Sequence, residues 1–319
     1  MIRSVHVHAP SRLHFGMFSF GYIDRPQFGG VGVMIEPPAI DVAISPAATF
    51  TAGGEHTNRV ERFAAAIAAN WKLTALPCCE IHVSAPPDHV GLGVGTQLGL
   101  AVAVGLRRFL ELPELSTEKL AQSVGRGTRS AVGTYGFQSG GLIVDAGKKS
   151  GALLGTMARR VAVPAEWRFV LVRCLAIGRG LAGVSEADAF ARLPGVLQSV
   201  TDELWRIANS EMLPAIERSD CDAFGEAVYR FNLLAGECFA LLQGGPFANA
   251  DTAKLVDMLR SQGVAGVGQS SWGPTVFAIT AGDAEAQSLA ERLRAHLLPT
   301  EYDITIARPN NTGAQVNTL

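Results

Sequence analysis

The sequence predicts an α+β protein of two lobes, and three observations support this fold class. The chain is 319 residues long and 48% hydrophobic, which is sufficient for about two domains with buried cores. Predicted strands and helices mix without the regular alternation that a doubly wound parallel sheet requires. A new series of elements begins after Pro164, so we predict one lobe at 1–163 and a second at 164–319.

Period-two alternation and short apolar runs predict the strands of the first lobe. They lie at Ser4–His8, Val31–Ile35, Ile40–Ile44, Glu80–Ser84 and within 139–147. The segment "EPP" at 36–38 is predicted to be the turn between the second and third of these strands. Apolar residues at helical spacing predict helices at Arg59–Trp71, over about 14 residues from Thr96, and from an N-cap at Ser116 through Ser123.

The second lobe is predicted to contain longer helices. Apolar periodicity predicts them at Ser199–Met212, Asp220–Leu242, Asp251–Gln262 and Asp283–Leu297. Buried strands are predicted at 167–177, Thr275–Ile279 and Tyr302–Ile306. Asn310 and Asn311 follow the last predicted strand, where we expect a frayed tail.

Charge and cysteine content exclude several classes of protein. The formal net charge of −2 shows no excess of basic residues, so nucleic acids and anionic membranes are not expected partners. The five cysteines are scattered and lack zinc-ligand spacing, which argues against a disulfide framework and a structural zinc site. No apolar run reaches the length of a membrane span, and the first ten residues lack the apolar core of a signal peptide, so we expect a soluble, cytoplasmic protein.

The segment "PDHVGLGVGTQLGLAVAVGL", from Pro87, places glycines at 91, 93 and 95 directly before a predicted helix. A glycine inside an element costs about 1 kcal/mol relative to alanine, so this placement needs a reason. A helix N-terminus offers unpaired N–H groups and about half a positive charge, and glycines let an oxygen-rich anion approach the backbone. The sequence therefore predicts a phosphate-binding loop, with a tight turn that serves only helix packing as the alternative. It lacks the lysine of a Walker A loop and the GxGxxG spacing of a dinucleotide loop.

Three motifs occur in the order found in the superfamily of galactokinase, homoserine kinase, mevalonate kinase and phosphomevalonate kinase (GHMP). They are "APSRLHFG" (9–16), "PDHVGLGVG" (87–95) and "GVGQSSWGP" (266–274). The chain therefore resembles this superfamily over nearly its whole length. The resemblance implies an N-terminal β/α lobe followed by a ferredoxin-like α/β sandwich lobe. The kinases carry hydroxyl residues where this chain has Val94 and Gly95, which indicates a retained scaffold with changed phosphotransfer chemistry.

Further segments resemble one branch of the superfamily, the β-ribofuranosylaminobenzene 5′-phosphate synthases. These segments are "GGVGVMIEPP" (29–38), "GRGTRSAVG" (125–133) and "GGLIVDAG" (140–147). The resemblance implies that phosphoribosyl pyrophosphate reacts with 4-aminobenzoate, or with its 4-hydroxy analogue, with loss of CO2 and pyrophosphate. It also implies Mg2+ to neutralise the departing diphosphate, a homodimer, and a role in tetrahydromethanopterin biosynthesis.

The predicted substrate-binding residues belong to the glycine loop and to the third motif. They are Gly91, Leu92, Gly93, Val94, Gly95 and Thr96 through their N–H groups, together with Gln97, Ser270, Ser271 and Trp272 through their side chains. Pre-aimed N–H groups of this kind stabilise the charge that gathers on a leaving diphosphate. Trp272 is predicted to stack on the aromatic acid, and the alternative is a tryptophan of the core.

Four further residues are predicted to be catalytic, because arginine suits phosphates and carboxylates and histidine transfers protons. They are Arg12, His14, Arg126 and Arg129. The alternatives are a strand-edge arginine for Arg12, a solvated surface pair for the other two arginines, and a structural histidine for His14. Asp24 is predicted to bind Mg2+, with a turn-forming pair with Arg25 as the alternative.

Two other functions remain open from the sequence. One is an ATP-dependent small-molecule kinase of the same superfamily, against which the missing loop hydroxyls speak. The other is a catalytically silent relative that binds a small ligand.

Overall fold

The computed structural model describes residues 4–22, 24–175, 188 and 190–319. Its strands are β1 (Val5–Met17), β2 (Gly30–Pro46), β3 (Thr51–Gly54), β4 (Cys79–Ser84), β5 (Leu142–Asp145), β6 (Met157–Val161), β7 (Arg168–Cys174), β8 (Gly266–Gln269), β9 (Thr275–Thr280), β10 (Tyr302–Pro309) and β11 (Gln315–Thr318). Its first-lobe helices are α1 (Thr57–Asn70), α2 (Val94–Phe109), α3 (Thr117–Ser123) and α4 (Val132–Ser139). Its second-lobe helices are α5 (Gln198–Ile207), α6 (Leu213–Glu217), α7 (Cys221–Glu237), α8 (Ala240–Gln243), α9 (Ala250–Ser261) and α10 (Asp283–His296), with a π-helical turn at Ala208–Met212.

One hydrogen-bonded path joins strands of both lobes, in the order β11-β1-β2-β10-β7-β9-β8. The long strand β2 has β1 along one edge and β5, β10 and β4 in succession along the other. The lobes meet where Arg308 and Pro309 of β10 pair with Glu36 and Ile35 of β2. The predicted division after residue 163 falls between β6 and β7, and the domain boundary itself stays a prediction.

The second lobe has the strand order β10-β7-β9-β8, with antiparallel neighbours throughout. Helices connect β7 to β8 and β9 to β10. This is the ferredoxin-like arrangement, in which two strand–helix units are interleaved in one antiparallel sheet. Helices α9 and α10 pack on this sheet over a core that contains Val256 and Leu289.

Two other hydrophobic clusters hold the first lobe together and join it to the second. Leu98 and Leu106 of α2 pack with β1, β2 and β4 in the core of the first lobe. A central cluster places Phe15 of β1 against Phe224 of α7 and Phe277 of β9. Because this cluster contains residues of both lobes, β1 packs against the second lobe as well as against the first. Among the described residues, no helix has both the length and the apolar character needed to cross a bilayer.

The predicted turn at 36–38 is wrong, because β2 runs without interruption from Gly30 to Pro46. Opposite this segment, β1 shifts register between Pro10 and Ser11, so residues 36–38 lie in an irregularity of the ladder. Prolines suit such a position because they have no N–H to donate to the ladder. The two short strands predicted at Val31–Ile35 and Ile40–Ile44 are therefore parts of one long strand, β2.

The frayed tail expected at Asn310 and Asn311 is also wrong. The Asn310 side chain is buried, and its Oδ1 accepts a hydrogen bond of 2.7 Å from the backbone N–H of Gly313. The Asn311 amide exchanges hydrogen bonds of 2.9 and 2.8 Å with the backbone of Val163. The chain then continues into β11, which pairs with β1. Two partners, Val163 and Glu36, whose Oε2 accepts from Asn310 Nδ2 at 2.8 Å, lie far away in sequence, so no local pattern indicates them.

Most strongly periodic elements agree with the prediction to within a few residues. The predicted helix Asp220–Leu242 is different, because α7 ends at Glu237 and α8 is separate. The predicted helix Ser199–Met212 becomes α5 followed by the π-helical turn. The predicted strand at 167–177 corresponds to β7, and residues 176–177 lie outside the described residues. The prediction misses the short elements β3, α4, β6, α6, β8 and β11, and it covers only the first part of β1.

Candidate active site

A cleft of about 710 Å³ opens where the two lobes meet. Its walls come from β1, from the glycine loop and the start of α2, from residues 126–130, and from residues 269–273 after β8. Asn232 of α7 lies on its surface and binds the main chain on two sides, donating to Phe15 O at 2.6 Å and to Gln269 O at 2.9 Å. All three sequence motifs therefore meet at this cleft.

The glycine loop has one face toward the core and one toward the cleft. Leu92 and Val94 are buried in the central hydrophobic cluster, whereas the alternate positions Gly91, Gly93 and Gly95 are partly accessible. Helix α2 begins at Val94, and its N-cap Gly93 has a left-handed φ of 69° that favours glycine. The N-terminus of α2 thus opens toward the cleft, and its glycines place no side chains of their own between the backbone and an anion.

Residues of the third motif hold the glycine loop in place. The hydroxyl of Ser270 donates to Gly91 O at 2.6 Å, and that of Thr275 donates to Val90 O at 2.5 Å. The same Ser270 oxygen accepts from the backbone N–H of His14 at 3.0 Å. Ser270 is fully buried, so it lies behind the cleft surface and ties β1 to the loop.

Three arginines converge on the glycine loop. A Cβ atom at Gly93 would lie 3.0 Å from Arg12 Nε, and one at Gly95 would lie 3.2 Å from Arg126 Nη2. The guanidinium groups of Arg59 and Arg126 lie 5.8 and 5.4 Å from the ring centre of Phe63. Sequence reasoning predicts Arg12 and Arg126 but misses Arg59, which comes from α1, outside the three motifs.

Asp88 is the carboxylate among the described residues that line the cleft. It forms an ion pair with Arg59, and its Oδ2 lies 3.2 Å from His56 Nδ1. Burial raises the pKa of Asp88, but the charge and hydrogen bond of Arg59 and the nearby histidines outweigh burial and lower it overall. The group therefore stays ionised and holds Arg59 beside the loop.

A second part of the cleft lining is aromatic. The rings of Phe190 and Trp272 are stacked, with centres 5.3 Å apart, and the Phe239 ring meets Trp272 edge-on at 4.9 Å. The guanidinium of Arg129 lies 4.9 Å from the ring centre of Phe190. Phe20 packs behind Phe239 at 5.0 Å. Sequence reasoning misses these phenylalanines because single aromatic residues in separate segments carry no pattern.

His14 and Ser130 lie side by side on the cleft surface, with Asp145 buried beneath. His14 Nε2 is 3.2 Å from Ser130 Oγ, which donates to Asp145 Oδ2 at 3.4 Å. Burial, and then the charge of Arg12, lower the pKa of His14 well below its usual range, so the imidazole is neutral. Burial raises the pKa of Asp145 to about 6, against the effect of its hydrogen bonds from Ala131, Gly147 and Ser130.

The structure brings most of the predicted site residues together, with three exceptions. Ser270 supports the loop from behind, as described above. Gln97 is fully buried and its Nε2 donates to Gly133 O at 2.8 Å, so this side chain joins α2 to α4. The Asp24 side chain is 79% exposed beside Arg25, away from the cleft lining. Ser271, at the cleft surface, accepts from Arg12 Nη1 at 3.3 Å.

Comparison with solved structures places the fold. The chain superposes on homoserine kinase from Cytophaga hutchinsonii with a TM-score of 0.68 at 15% identity, covering 99% of this chain and 98% of that one. Mevalonate diphosphate decarboxylase from Staphylococcus aureus gives a TM-score of 0.68 at 14% identity, with the same coverage. The predicted α+β fold, with its two GHMP-kinase-like lobes, is confirmed.

Comparison of sequences is more specific. The family described as GHMP kinases C terminal matches residues 212–297. The beta-ribofuranosylphenol 5′-phosphate synthase of Archaeoglobus fulgidus is 33% identical over 330 residues, covering 96% of this chain and 97% of the relative. The protein of the same name from Methanothermobacter thermautotrophicus is 29% identical over 335 residues, covering 98% and 99%.

Proposed function

This chain belongs to the beta-ribofuranosylphenol 5′-phosphate synthase family, and we propose that it is a phosphoribosyl transferase that also decarboxylates its acceptor. The proposed donor is phosphoribosyl pyrophosphate, and the proposed acceptor is 4-aminobenzoate or 4-hydroxybenzoate. The ring carbon that bears the carboxylate attacks C1 of the ribose, pyrophosphate departs, and CO2 is lost. The product names of the relatives support an aromatic ring joined to ribose 5-phosphate.

The observation that carries the proposal is that one cleft has two chemically different surfaces, which we call its loop end and its aromatic end. One end presents the N-terminus of α2, glycine backbone and the guanidinium groups of Arg12, Arg59 and Arg126. The other end presents the rings of Phe190 and Trp272. A substrate pair made of a polyanionic sugar and an aromatic acid needs both surfaces within one cavity.

At the loop end, the reaction requires stabilisation of negative charge. As pyrophosphate leaves, charge gathers on its oxygens while the ribose carbon becomes electron-poor. N–H groups at a helix N-terminus and fixed guanidinium groups stabilise such charge because they are oriented before the reaction begins. The chain uses main-chain groups and arginines here, and the hydroxyl absent at Val94 is not required for that purpose.

At the aromatic end, the acceptor gains from stacking and from a paired carboxylate. A flat ring gains from contact with the rings of Phe190 or Trp272 that line the cleft, and each such contact contributes about 0.5–1.5 kcal/mol beyond area burial. Arg129, beside Phe190, is placed to bind the carboxylate before it is lost.

Mg2+ fits this cleft as an ion that the diphosphate carries. Among the described residues, no group of three or more histidine, cysteine, aspartate or glutamate side chains is arranged to hold a metal. Mg2+ commonly keeps waters and binds substrate phosphates with one or two carboxylates. Asp88, rather than the exposed Asp24, is the carboxylate placed to complete such a set. Bound Mg2+ would neutralise charge on the leaving group.

The proposal is tested with acceptors labelled at the carboxyl carbon. Purified protein is incubated with phosphoribosyl pyrophosphate, Mg2+ and either 4-aminobenzoate or 4-hydroxybenzoate, and released CO2 and pyrophosphate are counted. We expect equal amounts of the two products, and the acceptor with the higher kcat/KM identifies the substrate. Folded protein that releases neither product from either acid would contradict the proposal, and binding without turnover would select the catalytically silent alternative.

A further inference from the structure

The hydrogen bonds around His14 favour one position for the proton of its ring. Asp145 Oδ2 accepts from the backbone N–H of Ala131 at 2.6 Å, and its Oδ1 accepts from that of Gly147 at 2.9 Å. Both oxygens act as acceptors, so the hydroxyl hydrogen of Ser130 points to Asp145. The Ser130 oxygen then accepts from His14, and the hydrogen of the neutral imidazole lies on Nε2. The Nδ1 atom is left as an acceptor.

The proposed reaction has a use for such an acceptor. The ring carbon opposite the hydroxyl or amino group becomes nucleophilic only as that group releases electrons into the ring, and removal of its proton assists this release. We propose that His14 Nδ1 takes the proton of the para hydroxyl or amino group as the ring attacks ribose, and that Ser130 and Asp145 are the positioning residues that hold His14 for this step. This inference rests on the proposed function, and it assigns roles to two residues that the sequence analysis leaves unassigned.

The step balances without any further reactant. A C–C bond forms between the ring and ribose C1 while the C–O bond to pyrophosphate breaks, and the leaving group takes that electron pair. The para proton moves to His14, which leaves a non-aromatic ring carrying the carboxylate on its tetrahedral carbon. CO2 then departs, the bonding pair returns to the ring, and His14 gives the proton back to the para oxygen or nitrogen.

His14, Ser130 and Asp145 form what we call the relay, and the charges around it set the dependence of turnover on pH. The ionisable groups that face it are Arg12 on β1, which disfavours imidazolium, and Tyr135 on α4, whose hydroxyl donates to Gly155 O at 2.8 Å. Arg159 on the neighbouring strand β6 is exposed. Because the pKa of Asp145 is about 6, its carboxylate is lost below that pH, and Ser130 loses its acceptor. Turnover therefore falls as pH decreases through about 6.

The raised pKa of Asp145 also affects the stability of the fold, and stability changes with pH in the opposite direction to turnover. The pKa of Asp145 is raised above its unfolded value of 3.8, so the folded chain binds this proton more tightly than the unfolded chain. The stability contributed by the protonated form is complete below pH 3.8 and is lost as pH rises to about 6. The relay is thus most active where its carboxylate is least favourable for folding, as expected of a group held for function.

The test compares Asp145→Asn and Ser130→Ala with the wild-type protein. A general base contributes about 10²–10⁴-fold to a rate, so we expect each variant to lose roughly tenfold or more of kcat. The KM for phosphoribosyl pyrophosphate should be unchanged, and Asp145→Asn should lack the fall in turnover near pH 6. Ser130→Thr, which keeps the hydroxyl, should recover most of the rate. Ser123→Ala is the control, since this buried serine donates to Leu120 O at 2.7 Å outside the cleft lining.

A second readout does not depend on activity. Long-range ¹H–¹⁵N correlation spectra of the wild-type protein, with His14 assigned through His14→Gln, show which imidazole nitrogen carries hydrogen. We expect hydrogen on Nε2, and hydrogen on Nδ1 would overturn the inference. If the variants keep the wild-type kcat and pH profile, the inference about His14 is overturned and the proposed function stands. If the wild-type protein turns over neither acid, both the inference and the proposed function are overturned.

Discussion

The two ends of the cleft differ in how their chemistry is encoded. The loop end depends on main-chain N–H groups of one short segment, 91–95, because the predicted N–H of Thr96 donates instead to Gly93 O at 3.0 Å. The aromatic end depends on side chains that come from distant parts of the chain, namely Phe20, Phe190, Phe239 and Trp272. A continuous segment can encode an anion site because local backbone geometry sets the positions of its N–H groups. An apolar surface for a ring exists only after the chain has folded.

Gly93→Val should break the loop end and produce the largest effect. The residue has a φ of 69°, and the added Cβ would lie 3.0 Å from Arg12 Nε, so both the backbone and the arginine must move. We expect affinity for phosphoribosyl pyrophosphate to fall at least about 100-fold, while stability falls by roughly 1–2 kcal/mol. Calorimetric titration and thermal unfolding measure the two effects.

Gly263→Val is the matched control for that variant. Gly263 has a φ of +84° at the end of α9, and a Cβ there would meet nothing within 4 Å. It should therefore show the backbone strain and keep substrate affinity. Equal affinity in Gly93→Val and the control would mean that the loop glycines serve only packing.

Trp272→Ala should affect the aromatic end alone. Removing the ring that stacks on Phe190 removes one face available to the acceptor, and we expect its KM to rise roughly tenfold. Affinity for phosphoribosyl pyrophosphate should change less than the KM of the acceptor, since the variant keeps the arginines and the N–H groups of the loop end. Trp71→Ala is the control, because Trp71 lies beside Arg107 outside the cleft lining. An unchanged KM for the acceptor in steady-state assays would place ring binding elsewhere.

Ser270→Ala should have the smallest effect on turnover and act mainly on stability. Its hydroxyl bonds to the main chain of His14 and of Gly91, so truncation leaves two buried backbone groups without a partner. We expect the free energy of unfolding to fall by about 1–3 kcal/mol in urea titrations. Ser271→Ala, at the exposed neighbour, should change stability by less than about 0.5 kcal/mol. Equal stability of the two variants would show that Ser270 does not tie β1 to the loop.

Features with a local cause were predictable from the sequence. Helix α2 follows from its apolar spacing, and Ser116 caps α3 as expected, accepting from the N–H of Lys119 at 3.4 Å. The glycine loop was predictable because glycines before a helix have few other uses. Features that depend on residues far away in the sequence were not predictable. The prolines after Glu36 resemble a turn until β10 is placed beside them, and Asn310 resembles a tail until its amide is placed beside the Glu36 carboxylate.

The same limit applies to the site. Arg12 and Trp272 lie within recognisable motifs, so the sequence indicates them. Phe190 and Arg59 lie outside the three motifs and acquire their roles only through contacts with Trp272 and Asp88. The sequence does not indicate that Ser130 and Asp145 are in contact, because the start of α4 and the end of β5 meet only in the folded chain.

The central claim is that the glycine loop binds the diphosphate of phosphoribosyl pyrophosphate through main-chain groups. Calorimetric titration of the wild-type protein with phosphoribosyl pyrophosphate and with ATP, each with Mg2+, tests it most directly. The account predicts saturable binding of phosphoribosyl pyrophosphate that is lost in Gly93→Val, and much weaker binding of ATP. Tight binding of ATP, without binding of phosphoribosyl pyrophosphate, would contradict the account and favour an ATP-dependent small-molecule kinase.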